Sequence, residues 1–221
     1  MQRVLFSWSG GKDSAMALRE ILTSRTHEVT GLLTTVTEDY DRISMHGVRR
    51  ALLQRQAESL GLALTEVRLP KQASNDTYEE RMASALTRHK DLGVTGVAFG
   101  DIFLEDLRAY RERNLARLDL KAVFPIWKRD PAELLRSFLG IGFEAITTCV
   151  DGKVLGREFV GRAIDDRFVS DLPTGVDVCG ENGEYHSFVH NGPIFREAVV
   201  IERGDVVLRD DRFWYCDLVP A

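Results

Sequence analysis

Val4-Leu5-Phe6-Ser7-Trp8-Ser9-Gly10-Gly11-Lys12-Asp13-Ser14 passes from a β-rich run through a glycine turn into a helical pattern. Adjacent glycines let the backbone approach an oxyanion closely, and the unpaired N–H groups at a helix start point toward it. Lys12 adds a mobile positive charge, and the hydroxyls of Ser9 and Ser14 can donate hydrogen bonds. The segment therefore predicts a phosphate or pyrophosphate cradle at the carboxyl end of the first strand, where open α/β sheets bind ligands. An exposed loop lysine contributes little to stability, so its removal is expected to spare the fold.

Outward from this loop the chain alternates. Val4 to Trp8 precedes a helix from about Ser14 to Thr23, and Val29 to Val36 one from about Val48 to Leu60. Ala63 to Leu69 then precedes a helix from about Thr77 to Leu92, and Val94 to Phe99 one from about Glu105 to Leu118. Strands separated by helices of that length pair in parallel, which predicts a doubly wound α/β sheet. The helix assignments rest on spacing: Tyr78, Met82, Ala85, His89 and Leu92 form one apolar stripe, and Leu107, Leu115 and Leu118 another.

A fifth run, Ala122 to Pro125, leads to Asp130-Pro131, an N-cap followed by proline at the first helical position. Beyond it the pattern changes. Glu144 to Val150 reads as a strand and Asp151-Gly152 as a hairpin turn, and Arg203-Gly204-Asp205 as a turn between Val199-Val200-Ile201 and Val206-Val207-Leu208. The expected organisation is a nucleotide-binding domain over residues 1–128 and a smaller, hairpin-rich α+β domain over 129–221 that binds substrate.

The 221 residues are 44% hydrophobic and 29% charged, an ordinary globular composition. No run approaches the roughly 18 apolar residues of a membrane helix, and Met1-Gln2-Arg3 leads straight into strand-like sequence without a signal peptide's apolar core. A cytoplasmic protein without membrane partners is expected. Three scattered cysteines, Cys149, Cys179 and Cys216, fit reduced thiols. The net charge of −5 argues against broad nucleic-acid binding.

Two common phosphate motifs do not fit. A Walker loop needs a Gly separated by four residues from the Gly-Lys pair and Ser or Thr after it, where this chain has Phe6 and Asp13. A dinucleotide fingerprint needs three spaced glycines, and Gly10-Gly11 is only a pair. Ser9-Gly10-Gly11-Lys12-Asp13-Ser14 instead resembles in full the signature of the PP-loop ATP pyrophosphatases. Gly100-Asp101, Pro125-Ile126-Trp127 and Gly180-Glu181-Asn182-Gly183-Glu184-Tyr185-His186 narrow this further. Together with the loop they are similar to the diphthine–ammonia ligase family, over nearly the whole chain.

The resemblance implies an adenine nucleotide alpha hydrolase-like, PP-loop-type sheet, with ATP and Mg²⁺ as cofactors. It implies adenylation of a carboxylate with release of pyrophosphate, then amidation by ammonia with release of AMP. The family's acceptor is diphthine on elongation factor 2. Leu5-Phe6-Ser7-Trp8, and Glu181-Asn182-Gly183-Glu184 in place of Glu-Gly-Gly-Glu, resemble the bacterial branch, where diphthamide is not expected, so activation carries over better than acceptor identity. A small-molecule or protein carboxylate and ammonia are the expected partners, and a homodimer is left open.

In this scheme Lys12 neutralises phosphate charge and Asp13 holds Mg²⁺ or orients the loop, its bland alternative being a simple first-turn helix charge. Ser9, Gly10, Gly11, Lys12, Asp13 and Ser14 bind the nucleotide, with Thr35 at the end of the second strand and Gly100 and Asp101 at the end of the fourth. Asp101 is equally readable as a helix N-cap. Glu181 and Glu184 take catalytic roles, Glu184 as the base for ammonia, against the reading of a surface acidic turn. Arg111, Trp127 and His186 are the candidates for substrate binding. A PP-loop enzyme of RNA modification or cofactor salvage, and a non-catalytic ATP sensor, stand as alternatives; sulfur transfer would require Cys149 and Cys179 to meet.

Overall fold

In the computed structural model, which describes residues 1–43 and 47–221, the first strand is buried on both faces: Val4 and Phe6 enter one core and Leu5 the other. Burial on both sides is what a parallel sheet covered by helices requires. The first part of the chain forms β1 (Gln2–Ser7), α1 (Lys12–Ser24), β2 (His27–Thr37), β3 (Arg42–Ile43) and α2 (Arg50–Leu60). It continues through β4 (Leu64–Leu69), α3 (Asn75–Asp91), β5 (Gly96–Ala98), α4 (Glu105–Ala116) and β6 (Lys121–Val123). The parallel order is β4-β2-β1-β5-β6, and β3 adds an antiparallel piece to the end of β2. Ala17, Leu18, Leu52 and Leu53 place α1 and α2 on one face, while Ala85, Leu86 and Leu115 place α3 and α4 on the other. The doubly wound sheet expected from the alternation is present.

The remainder forms α5 (Pro131–Gly140), β7 (Glu144–Asp151), α6 (Asp166–Asp171), β8 (Tyr185–Asn191), β9 (Ile201–Arg209) and β10 (Phe213–Pro220). Its four strands make a second, antiparallel sheet in the order β8-β7-β10-β9. Asp130 caps α5 through a 2.9 Å bond from the Glu133 N–H, with Pro131 in the first turn, as its sequence foretold. Val150, Phe188, Val189 and Leu218 share a continuous core with α1 and α2, so the second sheet packs directly on the first unit. Among the described residues no helix is long and apolar enough to cross a membrane.

Three expectations fail for identifiable reasons. Arg203-Gly204-Asp205 is no turn: it lies inside β9, where Gly204 and Asp205 together face Asp217 as an irregularity in the ladder. The turn joins β9 to β10 at Asp210 and Asp211, both left-handed at φ 51° and 47°, a conformation that short polar Asp side chains tolerate without glycine. Asp151-Gly152 ends β7 but closes no hairpin, because α6 intervenes before its partner β8. Leu92 is 68% exposed, because the apolar stripe of α3 stops at Leu86.

Candidate active site

The carboxyl ends of β1 and β5 and the inner face of the second sheet enclose a cavity of about 820 Å³. That lies within the roughly 300–1,000 Å³ of small-molecule sites. The first unit contributes Ser9, Gly11, Lys12, Asp13, Ser14, Gly100, Asp101 and Arg111. The second contributes Glu181 and His186, together with Tyr185, Ser187, Asp151 and Arg212.

The phosphate loop is held from several sides. Gly10 has φ +80°, and a Cβ there would meet Gln56 Oε1 at 2.7 Å, so only glycine fits. Its carbonyl accepts from the Val189 N–H at 2.9 Å and from Gln56 Nε2 at 3.1 Å. The Ser9 and Ser14 hydroxyls lie 2.7 Å apart, and the Lys12 N–H donates to Ser187 Oγ at 3.1 Å. A side chain at Gly100 would reach within 2.9 Å of the Ser14 nitrogen, so the end of β5 abuts the first turn of α1.

Lys12 is not the exposed, mobile lysine expected. It is 3% exposed, and its Nζ donates to Asp13 Oδ2 at 2.8 Å and to the Cys179 carbonyl, and lies 5.0 Å from the Tyr185 ring centroid. Burial works against its charge, but Asp13 and the Tyr185 and Cys179 surroundings outweigh it, and Lys12 stays protonated. Three bases line the crevice, each paired with an acid: Lys12 with Asp13, Arg111 with Asp101 at 2.7 Å, and Arg212 with Asp151 at 2.5 Å. Glu181 and Asp210 line it without an ion pair among the described residues.

The two glutamates of the Glu-Asn-Gly-Glu loop separate. Glu181 faces the crevice, accepts from the Ile102 N–H at 2.7 Å, and is pushed up to about 7 by burial, with Asp13 and Asp101 adding to the rise. Glu184 does not line the cavity. It is 7% exposed and turned under its own loop, where Oε1 accepts from the Asp177 N–H at 3.2 Å and from Asn182 at 3.1 Å. His186 lines the crevice, and burial, helped by Lys12, lowers it to about 4, so it is neutral at ordinary pH.

Other candidates lie elsewhere. Thr35 pairs with Val67 within the sheet and is outside the cavity lining. Trp127 is outside it too, its ring 5.6 Å from that of Phe124 and beneath Arg108 at 4.7 Å. Asp101 is no helix cap, since Leu104 occupies that position of α4. Gln56, Asp177 and Ser187 carry much of the geometry and had no signal in the sequence beyond being polar. The five acids of the crevice suit a hard cation that arrives with phosphate ligands. Among the described residues there is no preformed cluster of three His, Cys, Asp or Glu.

A parallel sheet with this loop at the end of its first strand, roofed by a second sheet that brings a carboxylate into the same crevice, defines an ATP-dependent ligase of the PP-loop type. The chain belongs to the diphthamide synthase family, whose N-terminal domain matches residues 2–122 and whose C-terminal domain matches 130–218. Diphthine–ammonia ligase of Danio rerio is 27% identical over 231 residues, covering 95% of this chain and 90% of that protein. The Schizosaccharomyces pombe enzyme of the same name is 27% identical over 226 residues, covering 93% of this chain but 37% of its own. Among solved structures, a U34-tRNA thiolase from Methanococcus maripaludis with its [4Fe-4S] cluster overlaps 64% of this chain and 58% of its own. That overlap has a TM-score of 0.38 at 16% identity, too distant to bear on function.

Proposed function

We propose that this chain, through units 1–128 and 129–221, activates a carboxylate with ATP as an acyl-adenylate and transfers it to ammonia in the cytoplasm. The observation that carries this reading is that Lys12 and Asp13 of the phosphate loop and Glu181 of the loop before β8 line one cavity. Adenylation requires phosphate charge to be neutralised, which falls to Lys12, the loop hydroxyls of Ser9 and Ser14, and Arg111 if it exchanges Asp101 for a phosphate. Asp13 would hold Mg²⁺, which when bound would supply further charge neutralisation at the phosphates.

Amidation requires the opposite chemistry. Ammonium must be captured from water and give up a proton, and Glu181 suits both tasks: among the described residues it has no ion-pair partner, and its carboxyl titrates near 7. Neutral His186 is suited to hydrogen-bonding the acceptor rather than to charge pairing. Sulfur transfer is disfavoured, because burial pushes Cys149 up to about 11 and Cys179 to about 12, leaving few thiolates. The acceptor is a small-molecule or protein carboxylate; diphthine is the acceptor named for the relatives. Chromatography of turnover products tests the reading: AMP and pyrophosphate are expected, and ADP with phosphate as the only products would overturn it.

A further inference from the structure

β9 is the outermost strand of the second sheet: β10 pairs with one of its edges, and among the described residues no strand pairs with the other. Its 9 residues are exposed or half-buried throughout. Val207 and Leu208 are 40% and 44% exposed, and Val200 just before the strand is 61% exposed. A long free edge is a template for another strand, and charges along it often blunt that tendency. Here the order of the charges decides what the edge accepts. Val206 lies opposite Cys216 and Arg203 opposite Leu218, so Gly204 and Asp205 share Asp217 as a bulge. The extra residue shifts the alternation of side chains. Glu202 and Arg209 would otherwise point to opposite faces, but across the bulge they share one, as their β10 partners Val219 and Phe213 do. Both are exposed, and neither is in an ion pair among the described residues.

We infer that β9 pairs antiparallel with β9 of a second copy of this chain, about a two-fold axis through Val206. In that register Val206 meets Val206 of the second copy, and Val207 meets the bulge at Gly204 and Asp205. Arg203 then meets Leu208, and Glu202 meets Arg209. Directly opposite residues of an antiparallel pair share a face, and the phase set by the bulge gives Glu202 with Arg209 and Arg203 with Leu208 that property. A two-fold contact repeats each pair, so both ends of the ladder carry the same match of glutamate with arginine. An unrelated strand would have to reproduce this order of charges around a bulge, whereas a second copy supplies it by symmetry. The inference does not rest on the ligase reading, because association needs no turnover.

Sedimentation equilibrium of the full chain tests it. A reversible monomer–dimer equilibrium is expected, with a Kd on the order of 10–100 µM for a contact of one strand pair. Glu202→Arg places like charges together at both ends of the ladder, as does Arg209→Glu, and each should weaken the dimer by roughly tenfold or more. Mixed in equal amounts, the two variants should regain it, because each positive end of one then meets a negative end of the other. Both substitutions are on exposed side chains, so melting midpoints should match that of the native chain. A native chain that stays monomeric up to about 1 mM, a dimer of native strength in either variant alone, or a mixture no more associated than its components would each overturn the inference.

Discussion

Gln56 of α2 donates from Nε2 to the Gly10 carbonyl at 3.1 Å and to the Val189 carbonyl at 2.6 Å, joining the phosphate loop to the second sheet through one side chain. Its Oε1 accepts from the Trp8 indole N–H at 2.9 Å, and the residue is fully buried. Every polar atom of the amide is therefore engaged with a group that water cannot reach. Gln56→Leu leaves the Trp8 N–H and the Val189 carbonyl without this partner and takes one of two donors from the Gly10 carbonyl, which costs about 2–4 kcal/mol. It should also raise the KM for ATP by roughly tenfold, since the loop loses the contact that sets its shape. Chemical denaturation and steady-state kinetics check the two effects separately.

Lys12→Ala is expected to cost stability as well as turnover. Its removal leaves Asp13 without its cation and the Cys179 carbonyl without its donor, in a site where Lys12 is 3% exposed. Because the Asp13 side chain retains 24% exposure, the loss should be about 1–3 kcal/mol rather than that of a fully buried orphan charge. The double substitution Lys12→Ala, Asp13→Asn should recover part of it. A single variant whose melting midpoint equals that of the native chain would show that the lysine is exposed in solution.

The second sheet is also anchored by Asp217 of β10, which accepts from Arg42 at 2.9 Å and from Arg49 at 3.1 and 2.5 Å. Burial pushes this carboxyl up, but bonds from the two arginines more than offset it and hold it down at about 2. A depressed folded-state pKa contributes stability that is complete above the unfolded value of about 4 and is lost as pH falls toward 2. With Arg49 42% exposed and partly screened, the contribution should be about 1 kcal/mol. Asp217→Asn should be less stable than the native chain at pH 7, and the two should converge in melts near pH 2.

The parallel sheet was legible because its evidence is periodic: runs such as Val29 to Val36 and Ala63 to Leu69 repeat between helices, and the Gly10-Gly11 turn marks the first crossing. The second sheet was less so. Its turn uses Asp210-Asp211, while the conspicuous Gly204 sits within a strand, so turn composition pointed to the wrong place. The loop chemistry was readable for the same local reason, and contacts between distant segments were not. Nothing in the sequence sets Lys12 against Cys179 or Gln56 against Val189, because those meetings depend on how the two sheets dock.

The division of labour between Glu181 and Glu184 follows from what surrounds each. They are three residues apart, and the sequence pointed to Glu184 as the base for ammonia, a role its position outside the crevice does not support. Glu184 is committed to its own loop, holding the Asp177 N–H and Asn182, and Asp177 in turn accepts from the Glu181 N–H at 2.7 Å. Glu184→Gln should therefore loosen the loop and lower adenylation and amidation together. Glu181 reaches the crevice, has no ion-pair partner among the described residues, and titrates near 7, so it can bind ammonium when ionised and accept its proton. Glu181→Gln should retain ATP–pyrophosphate exchange with a competent acceptor while amide formation falls by the roughly 10²–10⁴ a positioned base supplies. In the native chain kcat/KM for ammonia should rise through pH about 7 as Glu181 ionises, beyond the titration of ammonium itself. That inflection should vanish in Glu181→Gln and persist in Glu184→Gln. If exchange and amide formation decline equally in Glu181→Gln, its carboxylate serves the metal or the nucleotide instead, and the base must be sought elsewhere in the crevice.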